Sequence, residues 1–321
     1  MMNAFLFPGQ GSQSPGMGQF LFDNFTTAKT VFEEASDAIS LDLKKLCFAG
    51  TPEELALTEN TQPALLCVST ATARVLTRDL GVKVGATAGH SIGEYASFVL
   101  GEVIAFPDAV RAVRLRGQAM QSAVPVGQGG MTATLGLNEE QVQFLCDWAV
   151  KTSGFGPLSP ANFNSDGQIV ISGNLKTLDW LRENFKAEIL PGETRRAKLI
   201  PLQVSAPFHC AMMKPAQDRM AKFFNDIHFQ DSKIPIIQNV HAKSETEAQI
   251  LKHNITEQIS APVRWTQSMH TLKAMNVATC IEVGHGSVIK GLLKKIDSEF
   301  FKVYGTSSLE DLKSIENLNK S

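Results

Sequence analysis

Short apolar runs and longer helical stretches alternate along most of this chain. Residues 4–7 read as a short buried strand that feeds a glycine-rich loop over 8–13. Thr51-Pro52-Glu53-Glu54 is a capping box with proline at the first helical position. A long apolar helix is predicted over 63–80, closed by Gly81, then a strand of small residues over 82–89 and an apolar helix over 92–100. The next helix, 107–122, carries Arg111, Arg114 and Arg116 among Val110, Val113 and Leu115.

From residue 130 the rhythm changes. The pattern predicts strand 131–137, helix 139–150 capped by Asn138, a strand near 161, strand 169–172, helix 175–185 and strand 198–204. This β-α-β-β-α-β order is ferredoxin-like. Helix 212–225, strand 234–237, helices 247–259 and 266–275, strand 278–283 and helix 288–296 then resume the earlier alternation. The expected fold is α/β: a mainly parallel sheet built from residues 1–129 and 205–321, with a ferredoxin-like subdomain inserted over 130–204.

Ala88-Gly89-His90-Ser91-Ile92-Gly93-Glu94-Tyr95 lies where the strand over 82–89 meets the helix over 92–100. Gly-x-Ser-x-Gly in a strand-turn-helix setting is a nucleophile elbow, and it makes the large sheet α/β-hydrolase-like. The two glycines admit a strained turn that projects the Ser91 hydroxyl, while the free N–H groups of the helix start face any negative charge beside it. Other Gly-x-Gly spacings, at 9/11, 16/18, 127/129, 154/156 and 284/286, never extend to Gly-x-Gly-x-x-Gly, which argues against a dinucleotide fold.

Composition narrows the class. The 321 residues are 43% hydrophobic and 19% charged, with formal charge −2, so no global field favours nucleic acid and an acidic partner must meet a local basic patch. Five scattered cysteines without Cys-x-x-Cys fit reduced thiols in a cytoplasm. The N-terminus has no basic region before its brief apolar run, and no run approaches the ~18 residues of a membrane span. A cytoplasmic protein with no membrane segment is expected.

A serine hydroxyl needs a base, and histidine is the usual one. His90 abuts the nucleophile, but neighbouring residues at an elbow diverge, so it reads as turn packing. His228, His241, His253, His270 and His285 lie in polar or helical contexts and read as surface or capping residues. His209 differs: Val204-Ser205-Ala206-Pro207-Phe208-His209-Cys210 is a small-residue turn between a strand and a helix, where open α/β folds place active groups.

These residues resemble the malonyl-coenzyme A:acyl carrier protein transacylases of fatty-acid synthesis. The likeness covers nearly the whole chain. Phe7-Pro8-Gly9-Gln10-Gly11-Ser12-Gln13, the elbow through Tyr95, Arg116-Gly117 with Met120-Gln121, Ala161-Asn162-Phe163-Asn164 with Gly167-Gln168, Pro207-Phe208-His209, and Pro262-Val263-Arg264-Trp265 follow that family's landmarks in order. The resemblance implies Ser91 as nucleophile, His209 as general base then acid, an oxyanion hole from the N–H groups of Gln10 and Ile92, and a Gln258 main-chain carbonyl that orients His209. It sets Arg116 against the malonyl carboxylate, where a planar guanidinium binds bidentately. Read bare, Arg116 is an arginine whose stem could snorkel to the surface, and Gln258 is an exposed glutamine near a helix end. Asn162 and Asn164 either hold the acyl group or form turns.

The implied reaction moves malonyl from a coenzyme A thioester to the phosphopantetheine thiol of acyl carrier protein, with no metal or bound cofactor. Carrier proteins are generally acidic, so Arg195-Arg196 with Lys198, or Lys290, Lys294 and Lys295, are either docking patches or solvated faces. One departure stands out: where the family's late loop reads Gly-Pro-Gly-Lys, this chain has Gly284-His285-Gly286-Ser287. A serine esterase would share the elbow but predicts an acidic triad member and water as acceptor.

Overall fold

The computed structural model describes residues 3–192, 197–204 and 206–320. Strand β1 (Asn3–Phe7) is followed by helices α1 (Gln19–Asn24), α2 (Thr26–Ile39), α3 (Leu43–Ala49), α4 (Pro52–Ala56) and α5 (Thr58–Arg74). Strand β2 (Ala86–Gly89), α6 (Gly93–Leu100) and α7 (Phe106–Ser122) lead into β3 (Gly129–Leu135), α8 (Glu139–Ser153), β4 (Leu158–Ser165), β5 (Gln168–Asn174), α9 (Leu175–Asn184) and β6 (Lys198–Pro201). The chain continues through α10 (Lys214–Phe224), β7 (Ile236–Ile237), β8 (Ser244–Glu245), α11 (Ala248–Glu257), α12 (Trp265–Ala274), β9 (Thr279–Glu282), α13 (Val288–Asp297), β10 (Lys302–Tyr304) and α14 (Leu309–Lys320).

Two sheets result. The larger has the order β10-β9-β1-β2-β7-β8, parallel except for β8. The chain builds outward from β1 to β2 on one side and later to β9 on the other, so β1 flanks the point where strand order reverses. Loops leaving the carboxyl ends of strands there form a crevice, the usual ligand position of an open α/β sheet. Those loops are 8–13 after β1, the elbow after β2 and 284–287 after β9; Phe7 and Gly89 stand in register at the crevice edge. The second sheet, β4-β5-β3-β6, is antiparallel throughout. Numbered within its own unit that order is 2-3-1-4, the ferredoxin-like arrangement expected from the sequence. Its own apolar core joins Leu137, Val142, Leu145, Ile171 and Leu181 beneath α8 and α9.

The sheets are stitched together beside the crevice. Val263 runs parallel to β4, donating to the Ala161 carbonyl at 2.8 Å and accepting from the Phe163 N–H at 2.9 Å. This fixes Asn162 and Asn164 relative to the elbow.

Several elements differ from the sequence expectation. The helix expected over 63–80 begins at Thr58 and contains Pro63 in its interior, then continues as a π-helical turn over Val75–Asp79. Proline there leaves the Glu59 carbonyl without its usual N–H, and the Arg114 guanidinium fills the vacancy at 2.7 Å. The strand expected over 82–89 shortens to β2, and those over 198–204 and 234–237 shorten to β6 and β7. Helices α1 to α3, β8, β10 and α14 were not anticipated. Met1, Met2, Ser205 and the Arg195-Arg196 pair lie outside the described residues. Among the described residues no helix is long and apolar enough to cross a membrane, and all five cysteines are free and buried.

Candidate active site

The elbow is built by steric exclusion. A Cβ on Gly89 would overlap the backbone of Gly93 and Glu94, and one on Gly93 would overlap the Phe7 carbonyl. Glycine at both positions lets the start of α6 press against the ends of β1 and β2. Ser91 takes the left-handed conformation, φ 52°, that the tight turn demands. Asn239 holds the turn from the β7 side: its Oδ1 accepts from the Ser91 N–H at 2.8 Å, and its Nδ2 donates to the Gly89 carbonyl at 2.7 Å.

His209 also has positive φ, 60°. Two left-handed residues other than glycine facing each other is the kind of backbone strain that clusters at functional sites. The Ser91 Oγ and His209 Nε2 are 2.7 Å apart. On the far side of the ring Nδ1 lies 2.8 Å from the Gln258 carbonyl and 3.2 Å from the Ala261 carbonyl. Carbonyls only accept, so Nδ1 carries the proton and Nε2 is left as the lone-pair nitrogen facing the hydroxyl. Burial, then the nearby positive charge of Arg116, pulls the His209 pKa down to about 3, against the smaller upward pull of the carbonyl bonds.

Arg116 is 1% exposed, which disposes of a snorkelling role. Its Nη2 donates to Ser91 Oγ at 3.2 Å and to Gln258 Oε1 at 2.8 Å, and its guanidinium lies over the Tyr95 ring. Among the described residues its Nε has no partner, and no carboxylate lies within ion-pair distance. A buried cation with spare donors favours an anionic ligand, because an uncompensated buried charge costs several kcal/mol. Gln258 is fully buried, which rules out the alternative of an exposed glutamine near a helix end.

A cavity of about 170 Å³ collects the predicted residues: Gln10, Ser91, Ile92, Arg116, Asn162 and His209 all line it, with Met120 and Phe208 as apolar walls. Gln258 stands behind it. Among the described residues the backbone N–H groups of Gln10 and Ile92 donate to nothing. Asn162 is buried in the wall at a register shift of β4. Asn164 Oδ1 accepts from His90 Nε2 at 2.8 Å, and the His90 ring packs at a tilt against the Trp265 ring. His90 is therefore more than turn packing, since it also lines the cavity. The late loop is tied to the segment just after the Gln10 loop, His285 Nε2 and Ser14 Oγ being 2.7 Å apart. No group of three or more His, Cys, Asp or Glu side chains among the described residues is placed to hold a metal ion.

Three residues that the sequence reading did not single out complete the site. Asn239, Gln238 and Glu94 form a buried polar cluster below the elbow, with Glu94 accepting from the Asn239 N–H at 3.2 Å and from Gln238 Nε2 at 3.3 Å. In the sequence Glu94 is an acidic residue in the first turn of α6, a position that favours a carboxylate in any helix.

Among the described residues, a serine, an imidazole backed by carbonyls and a buried arginine without an ion pair share one pocket, an arrangement suited to the transfer of an acid-bearing acyl group. Residues 4–313 match the acyl transferase domain family. The malonyl CoA-acyl carrier protein transacylase of Bacillus subtilis strain 168 is 41% identical over 294 residues, covering 92% of this chain and 90% of that one. Its Salmonella typhimurium counterpart is 42% identical over 293 residues, covering 91% and 92%. A malonyl-transacylase solved in complex with its type II PKS acyl-carrier protein superposes with a TM-score of 0.92 at 37% identity, covering 99% of this chain and 100% of that one. The chain belongs to the malonyl CoA-acyl carrier protein transacylase family.

The tautomer and low basicity of His209 are directly measurable. In nitrogen-detected imidazole spectra, His209 is expected to show a protonated Nδ1 and a bare Nε2 from pH 8 down to pH 5. A titration midpoint at the ordinary histidine value of about 6.5 would contradict the geometry.

Proposed function

We propose that this protein transfers a malonyl group from coenzyme A to the phosphopantetheine thiol of an acyl carrier protein, through an acyl ester on Ser91. The observation that carries the reading is the position of Ser91 Oγ, 2.7 Å from His209 Nε2 and 3.2 Å from Arg116 Nη2 in one small cavity. His209 takes the hydroxyl proton on Nε2 as Oγ attacks the thioester carbonyl. The carbonyl oxygen becomes an oxyanion and is met by the N–H groups of Gln10 and Ile92, neither of which is otherwise engaged among the described residues. The C–S bond breaks, and the departing thiolate collects the proton from His209.

The second half runs in reverse. The carrier's thiol gives its proton to His209 and attacks the malonyl ester, and Ser91 leaves with that proton. The Gln258 carbonyl holds the imidazole tautomer through both halves, as an aspartate does in hydrolase triads, but offers less to the imidazolium. Arg116 pairs the malonyl carboxylate with two parallel N–H donors, and Asn162 shapes the pocket beside it. Residues 130–204 act as one subdomain that roofs the pocket and limits water, which favours the thiol as acceptor. An acidic carrier protein would meet the exposed Lys290, Lys294 and Lys295 of α13, whose first turn adjoins the 284–287 loop.

Two outcomes test this reading. Incubated with malonyl-coenzyme A and no acceptor, the protein should gain one malonyl group on Ser91, seen by intact mass and peptide mapping; an unmodified wild-type mass, or label that persists in Ser91→Ala, refutes it. Replacing Arg116 by Ala should cost malonyl transfer about 2–5 kcal/mol, or about 30-fold to several-thousand-fold in kcat/KM. Acetyl transfer should fare no worse, since an unpaired buried charge has gone. An unchanged malonyl-to-acetyl ratio would make the arginine structural.

A further inference from the structure

Beneath the pocket lies a carboxylate that acyl transfer does not itself use. Glu94 is 0% exposed, and among the described residues no cation is within ion-pair distance of it. It accepts from Gln258 Nε2 at 2.8 Å, from the Asn239 N–H at 3.2 Å and from Gln238 Nε2 at 3.3 Å. Asn254 Nδ2 fixes the Gln238 amide by donating to its Oε1 at 2.6 Å. Burial pushes the Glu94 carboxyl up to about 7, while the Gln258, Asn239 and Gln238 donors and the Arg116 charge pull the other way. Retaining so costly a group under an elbow calls for a role.

That role follows from hydrogen-bond polarity. Glu94 Oε2 already accepts from the Asn239 backbone N–H, which cannot reverse, so the end of the Gln258 amide that meets this oxygen is the NH2. The same NH2 also donates to the Ser91 carbonyl at 2.9 Å, a second acceptor that demands the same orientation. Oε1 is thereby turned toward Arg116 and accepts from Nη2 at 2.8 Å. With the amide reversed, two sets of donors would face each other across that distance and drive the guanidinium out of line with Ser91.

We infer that Glu94 is a positioning residue for malonyl selectivity: it sets the donor-to-acceptor direction of the chain Arg116, Gln258, Glu94, and so holds the guanidinium on the acyl pocket beside Ser91. The inference rests on the malonyl-transfer reading above. Glu94 touches no reacting atom. It acts through the Gln258 side chain, while the Gln258 main-chain carbonyl separately serves His209, so the two duties of Gln258 are separable.

Glu94→Gln is nearly isosteric but offers an NH2 of its own, which invites the Gln258 amide to reverse. Glu94→Asp is shorter yet keeps an acceptor-only group. A packing role predicts that Gln is tolerated better than Asp; a polarity role predicts the opposite for selectivity. The measurement is kcat/KM for malonyl- and acetyl-coenzyme A with carrier protein as acceptor, in wild type and variants, with thermal melting to monitor the fold. Glu94→Gln should lower the malonyl-to-acetyl ratio by roughly 10- to 100-fold, while Glu94→Asp stays closer to the wild-type ratio. Equal ratios in Glu94→Gln and wild type, or a larger loss in Glu94→Asp, would overturn the inference. Gln258→Met keeps the main-chain carbonyl and interrupts the chain at its middle link. It should also lower the ratio at least tenfold, and a wild-type ratio there overturns the inference even if Glu94→Gln does not fold. Wild type that fails to take up malonyl at all would defeat the functional reading instead, so the two failures are distinguishable.

Discussion

The approach of α6 to the ends of β1 and β2 is the constraint on which the rest of the site depends. Gly89 and Gly93 meet backbone to backbone, with no room for a Cβ on either. That contact forces Ser91 into the left-handed region and sets the Ile92 N–H at the start of the helix. It also brings the Gln10 loop, at the end of β1, alongside the elbow. Strain of this kind persists only where the surroundings over-determine it, and Asn239 supplies that from β7 by bonding both sides of the turn. The Ser91 hydroxyl and the Gln10 and Ile92 N–H groups are thus positioned by packing of parallel strands, not by flexible side chains.

Electrostatics at the site are unusual in their lack of balance. Among the described residues His209 has two carbonyls behind it and no carboxylate, and Arg116 nearby further disfavours a protonated ring. Among the described residues Arg116 has no ion-pair partner, and burial disfavours its charge against the support of Tyr95 and Glu94. Under the proposed function the malonyl carboxylate relieves both conditions. Paired with Arg116, it cancels the field that opposes the imidazolium, so the acyl group that fits the pocket also makes the base stronger. An acetyl group would leave both penalties in place.

Much of this was legible in the sequence because it is local. The elbow is a contiguous motif with its own geometry, and the β-α-β-β-α-β unit announces itself through periodicity. His209 stood apart from six other histidines by its small-residue turn. The rest depended on distance along the chain. Glu94 and Asn239, which share a cluster with Gln238, are separated by 145 residues, and nothing near Glu94 distinguishes a buried carboxylate from a favourable first-turn one. The interior Pro63 was read as a helix start because proline usually is; only Arg114, from a different helix, makes its place tolerable. His285 reads from sequence as a surface or capping residue, whereas it bonds Ser14, just after the Gln10 loop.

The most direct measurement is a crystal structure of the protein frozen after loading with malonyl-coenzyme A in the absence of carrier protein. The malonyl carboxylate should lie within about 3 Å of two Arg116 nitrogens, with the ester carbonyl pointed at the N–H groups of Gln10 and Ile92. A malonyl ester on Ser91 whose carboxylate faces solvent, with Arg116 still bonded only to Gln258, would contradict the idea that this guanidinium selects the acyl group.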